Sequence, residues 1–120
     1  MAEQYVFNVA KELAEHPLLP EETMRLRFLR HCPYSGANIA QAKEVAPHYH
    51  ESHDEYVYIL RGTHEFTVGD EQFEVGPGDL IIAPAGLPHW PSRVGDGYAA
   101  LSIYAPDWDE NAPDRVAVDV

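Results

Sequence analysis

Punctuation constrains this chain more than any other feature. Ten prolines and eight glycines cut its 120 residues into short pieces, and most pieces alternate apolar and polar side chains with the period of two that marks a half-buried strand. Tyr5, Phe7 and Val9 share one parity, as do Met24, Leu26 and Phe28 against Arg25 and Arg27. Residues 56–61 read YVYILR, apolar on both parities, which predicts a strand covered on two faces. Gly62 ends it, and residues 63–68 resume alternation with His64, Phe66 and Val68 on one side. Gly69-Asp70 and Gly76-Pro77-Gly78-Asp79 have turn chemistry, with Asp79 read as a cap for its own turn. Residues 73–75, 80–83 and 99–104 complete the series. Only residues 10–15 suggest a helix, started by Asn8 as N-cap and stopped by Pro17. Many short strands with regular turns and one short helix predict an all-β fold, an antiparallel barrel or two-sheet jelly roll.

A chain of this length holds one domain with a genuine core. We expect a barrel over about residues 24–104 and an acidic tail over 105–120. Val116, Val118 and Val120 alternate, so the tail is expected to end in a short strand. The formal charge is −12, and residues 1–50 contribute little to it, with five basic against six acidic groups. That sign argues against nucleic acid or an anionic membrane as partner. The lone cysteine, Cys32, allows no internal disulfide and is read as a partly buried thiol. The N-terminus lacks a secretory pattern, and the most apolar stretch is broken by Pro84, Gly86 and Pro88, so a cytoplasmic location is expected.

Five of the seven histidines lie between His48 and His89. His48 and His50, at i and i+2, leave one face of a strand roughly 6–7 Å apart along the chain. Glu55 has the wrong parity for the same uninterrupted strand, but the polar residues 51–54 can turn and reset it. His89 follows the rigid bend Pro84-Ala85-Gly86-Leu87-Pro88, which can aim it at the same point. Three imidazoles and a carboxylate suit one divalent transition metal: Fe, Mn, Ni or Zn.

The pattern His48-x-His50-x4-Glu55-x6-Gly62 resembles the first motif of the cupin superfamily, and Gly78-x5-Pro84-x-Gly86-x2-His89 resembles its second. The likeness covers residues 42–93. It implies a small cupin barrel in which His48, His50, Glu55 and His89 bind the metal. Two positions depart from the pattern: Ala42 stands where the first motif usually opens with Gly, and Arg93 where the second usually closes with Asn.

Other residues are candidates for the remaining chemistry. His53 lies in the turn between ligands, read as exposed, with service as another ligand or as an acid–base proton shuttle as the alternative. His64 shares parity with Phe66 and is expected to point into the barrel, as a core histidine or an acid–base group. Arg93 shares parity with His89, so on a regular strand it would face the cavity and clamp a substrate carboxylate or phosphate, or else pair with acids at the rim. Tyr56, Tyr58 and Trp90 are read as packing residues.

These readings predict a metal-dependent cupin acting on a small polar or anionic metabolite, by oxygenase or by isomerase or lyase chemistry. A binding module that captures a small molecule without turnover is the alternative. Two-sided apolar strands, and the habit of resembling proteins, suggest a homodimer.

Overall fold

The computed structural model describes residues 4–106 and 115–118. The elements run α1 (Val9–Glu15), β1 (Met24–Cys32), β2 (Ser35–Ala42), β3 (His48–His50), β4 (Asp54–Val68), β5 (Glu71–Glu74), β6 (Leu80–Ala83), β7 (His89–Ala105) and β8 (Arg115–Ala117). All strand pairings are antiparallel, and the sheet curls into a barrel of the jelly-roll type. The long strand β7 is its spine. One end pairs with β2, from Gly36↔Tyr104 to Gln41↔Ala99, and the other brings His89 opposite His48 of β3. Along its length β7 also pairs with β4, from Asp54↔Ala105 to Val68↔His89, with repeated shifts of register. β6 covers β4 through Glu55↔Ala83 to Tyr58↔Leu80. The apolar core inside comprises Val57, Ile59, Phe66, Ile81, Tyr98 and Ala100, with Ala42.

Local chemistry explains the boundaries. The Asn8 side chain accepts the Lys11 amide at 2.9 Å and starts α1, while Glu12 of that helix accepts Arg27 Nε of β1 at 2.9 Å. Gln41, buried on the outer face of β2, donates to the His16 carbonyl at 2.7 Å and accepts the Leu18 amide at 3.0 Å. These bonds lay the N-terminal segment over the sheet's outer face. Asp79 accepts the Gly76 amide at 2.8 Å and caps its turn as expected.

Three sequence expectations are corrected. Residues 4–8 form no strand; Asn8 is spent on the helix cap, and Phe7 and Val9 line a shallow groove with Leu29 and Ile103. The strand YVYILR is fully covered on one face and only partly on the other: Val57 and Ile59 are buried, Tyr56 and Leu60 are half-buried, and Tyr58 is exposed beside Leu80, Ile82 and Ile103. Finally, β7 is not regular after His89. Thr67↔Trp90 is followed by Glu65↔Arg93, which inserts an extra residue on β7 and reverses parity. Pro91, which has no N–H to lose, sits in that bulge and faces inward. Arg93 therefore turns outward and is exposed, while Val94 packs against the core.

Of the acidic tail, residues 105–106 and 115–118 are described. There Arg115–Ala117 pairs with β3 in the register His50↔Arg115 and His48↔Ala117. Val120 lies outside the described residues.

Candidate metal centre

The sequence between the two motifs folds so that each motif holds the other in place. β3 stops at His50, residues 51–53 form no strand, and β4 starts at Asp54, which resets the parity of Glu55. The bend at residues 84–88 docks onto this turn. Gly86, at φ +83°, donates its amide to the His50 carbonyl at 2.6 Å, and Ala85 donates to Asp54 Oδ1 at 2.9 Å. The Pro88 carbonyl accepts the Gly69 amide at 2.7 Å, which fixes the far side of the bend. His89 then enters β7 pointing at His48 and His50.

His48, His50, Glu55 and His89 are all buried, and one donor atom from each lies within 4.8 Å of all the others. The ring centroids of His48 stand 5.0 Å from His50 and 4.7 Å from His89. Glu55 Oε1 lies 2.9 Å from His89 Nε2 and 3.5 Å from His50 Nε2. Donors on opposite sides of an ion with bonds of roughly 2.1 Å are about 4.2 Å apart, so small inward shifts complete the coordination.

The protonation pattern also fits a metal. His48 Nδ1 is 2.8 Å from the Ala46 carbonyl and His89 Nδ1 is 3.1 Å from the Leu87 carbonyl. A carbonyl can only accept, so both Nδ1 atoms carry a proton and each ring turns its Nε2 toward the cluster. Burial pushes the His48 imidazole down to about 4, which keeps it neutral near pH 7. Burial alone would raise Glu55, but hydrogen bonds from His50 and His89 outweigh it and hold the carboxyl well below the usual carboxylate range. A charged oxygen facing imidazole lone pairs requires a positive centre between them, a proton or a cation. The donor set, three nitrogens and one carboxylate oxygen, suits a divalent transition metal.

The cluster forms one wall of a cavity of about 420 Å³. Met24, Leu26 and Phe28 of β1 form an apolar wall, and Asn38, Tyr98, Ser102 and Tyr104 add polar groups. Burial, with the Glu55 charge close by, raises both phenols, Tyr98 and Tyr104, so they stay protonated. Two guanidinium groups also line the space, from Arg30 and Arg115.

The remaining candidates fall as follows. Arg93 does not line the cavity. His53 is not the exposed turn residue expected: it is 2% exposed, stacked on His50 at 4.1 Å and edge-on to Tyr104 at 4.9 Å. It backs a ligand and is absent from the cavity lining. The His64 side chain lies outside the described residues. The sequence reading missed Arg115, Asn38 and Tyr104. Asn38 shares parity with Ala40 and Ala42 in β2, and Tyr104 with Ala100 and Ser102 in β7, so a polar group on an otherwise small, inward parity was the available signal.

Fold and donor set together define a β-barrel whose cavity wall carries a buried cluster that could hold a metal ion. Residues 37–104, more than half of the chain, match the family described as "Cupin domain", and the chain belongs to that family. It is 31% identical over 88 residues to protein MJ1618 of Methanocaldococcus jannaschii, covering 67% of this chain and 70% of that one. A Klebsiella pneumoniae protein with a double-stranded β-helix domain superposes with a TM-score of 0.78 at 19% identity, over 98% of this chain and all of its own. Pac13 of Streptomyces, a nucleoside dehydratase, superposes with a TM-score of 0.69 at 16% identity, over 96% of this chain and 91% of its own. At these identities the structural likenesses show the fold alone. No helix among the described residues is long and apolar enough to cross a membrane.

Proposed function

We propose that this cupin is a metal-dependent enzyme acting on a small anionic metabolite bound in the barrel cavity. The observation that carries the reading is the convergence of three imidazoles and one carboxylate on the wall of a cavity large enough for a small ligand. His48, His50, Glu55 and His89 would hold a divalent metal, which would supply a Lewis acid at the wall of that cavity. The protein's own groups do the rest. The Nδ1 bonds of His48 and His89 orient the rings, the apolar wall of β1 excludes water from part of the space, and two buried phenols offer protons to a ligand. Oxygenase chemistry and isomerase or lyase chemistry both fit such a centre, and a binding module without turnover is the second reading.

Elemental analysis of the purified chain, followed by oxygen uptake with small carboxylates, tests this. One equivalent of Fe, Mn, Ni or Zn per chain is expected. Oxygen uptake would assign an oxygenase, and turnover without it an isomerase or lyase. Tight binding with neither would leave the module. A chain that takes up no divalent metal would end the reading.

A homodimer accompanies this proposal. The exposed face bearing Tyr58, Leu80, Ile82 and Ile103 is the surface on which a second copy would sit. Ile82→Glu should shift the molar mass seen by light scattering from dimer to monomer; an unchanged mass would exclude this face.

A further inference from the structure

Two polar side chains of the cavity have no use in the metal centre, and each lacks the partner its chemistry calls for. The first is Asn38 of β2, which is 3% exposed. Its Nδ2 donates to the Tyr104 hydroxyl at 3.4 Å. With Nδ2 used in this way, Asn38 Oδ1 is the free end. Oδ1 is buried and has no hydrogen-bond partner among the described residues. An acceptor left so is costly unless something else donates to it, and Asn38 lines the cavity.

The second is Arg115, which β8 carries to the cavity by pairing with β3. Its Nη2 stands 3.4 Å from His48 Nδ1, but that nitrogen already gives its proton to the Ala46 carbonyl, so the contact uses none of the guanidinium's donors well. The chain has twenty acidic residues, yet among the described residues none pairs with Arg115. A guanidinium is a planar fork suited to a carboxylate. In a protein of charge −12 the overall field repels anions, so capture of an anion needs a local cation at this place.

Resting on the metal-centre reading above, we propose that Arg115 and Asn38 are the recognition residues of the cavity, and that they select a small carboxylate bearing a hydroxyl group. Arg115 takes the carboxylate on the His48 side of the donor cluster. Asn38 Oδ1 accepts the hydroxyl on the Glu55 side. Met24, Leu26 and Phe28 face the carbon skeleton.

Calorimetric titration of the metal-loaded full chain with butyrate, butyramide and the 2-, 3- and 4-hydroxybutyrates tests both assignments. The native chain should prefer butyrate to butyramide, and one of the hydroxybutyrates to butyrate, each by about tenfold or more. Arg115→Gln should cut the first preference about tenfold. Asn38→Leu, with Asn38→Ala as a second variant, should cut the hydroxyl preference about tenfold. Arg93→Gln should change nothing. A butyrate preference that survives Arg115→Gln overturns the first assignment. A hydroxyl preference that is missing from the native chain, or that persists in a folded Asn38 variant, overturns the second. Direct metal chelation by a hydroxy acid would be the same in all these proteins, so only the change between variants is read. Failure of the metal-centre reading is seen separately, as a chain with no bound metal, and the comparison of butyrate with butyramide on that chain still decides Arg115.

Discussion

The Asp54 carboxylate accepts the Ala85 amide at 2.9 Å, so a residue of the first motif's turn holds the bend that delivers the second motif's ligand. Asp54 is not itself a donor to the cluster. Its role is to keep the bend of residues 84–88 at the height where His89 meets Glu55. Asp54→Ala should therefore lower metal affinity by about tenfold, the scale of an outer-shell loss, while the metal-to-protein ratio at saturation stays at one. Competition with a chromogenic chelator measures it. Affinity equal to the native chain's would show that the backbone bonds of Gly86 to His50 and of Gly69 to Pro88 hold the bend without Asp54.

Removing a ligand should cost more. Glu55→Gln keeps the volume but removes the only anionic donor, and the loss should exceed that of any outer-shell change, roughly 100-fold or more. Because a bound metal stabilises only the folded chain, chelator should lower the native Tm and leave the Tm of Glu55→Gln nearly unmoved. Equal chelator sensitivity in the two proteins would mean that Glu55 is no ligand.

The donors were legible because their spacing is local chemistry: i and i+2 on a strand for His48 and His50, a polar turn before Glu55, a proline-framed bend before His89. The barrel was legible for the same reason, since alternation and turn residues are short-range signals. Of the two readings of Arg93, the cavity-facing one fails because parity counting assumes a regular strand, and one extra residue near Pro91 reverses the side chains that follow it. Arg115 and Asn38 were invisible because their meaning is long-range. Arg115 matters only once β8 pairs with β3, and Asn38 only once β2 lies beside Ser102 of β7. His53 was placed outside because its sequence neighbours are polar, whereas its ring is covered by His50 and Tyr104.

Acid should unfold the metal-free protein in two stages. His48 is held down to about 4 in the fold against an ordinary value of 6.5. Between those limits the unfolded chain binds the extra proton, so stability falls as pH drops from 6.5 toward 4. Glu55, held below its ordinary 4.5, contributes stability above that value which is lost as pH falls further. Thermal melts of metal-free protein across this range should show Tm falling first gently, then more steeply below about pH 4.5. His48→Gln should flatten the upper stage; a native profile flat between pH 6.5 and 4.5 would contradict the burial of a neutral His48.

At Gly62 the backbone of β4 lies tight against that of β7, and its replacement separates two kinds of glycine requirement. Its φ is +74°, and a Cβ there would come within 2.5 Å of both the Asp96 carbonyl oxygen and the Tyr98 nitrogen, backbone atoms that cannot step aside. Gly78 has a φ of +95°, and a Cβ at that position would meet nothing within 4 Å. Gly78→Ala thus meets only conformational strain, about 1–2 kcal/mol. Gly62→Ala meets that strain plus a clash that must pry β4 from β7, so about 3 kcal/mol or more is expected. Because β7 carries His89 and β4 carries Glu55, opening their pairing at Gly62 should also weaken metal binding, whereas Gly78→Ala should not. Urea unfolding of the two variants gives the first comparison and metal titration the second. Equal destabilisation in the pair would remove the close approach of the two strands as the reason for glycine at position 62.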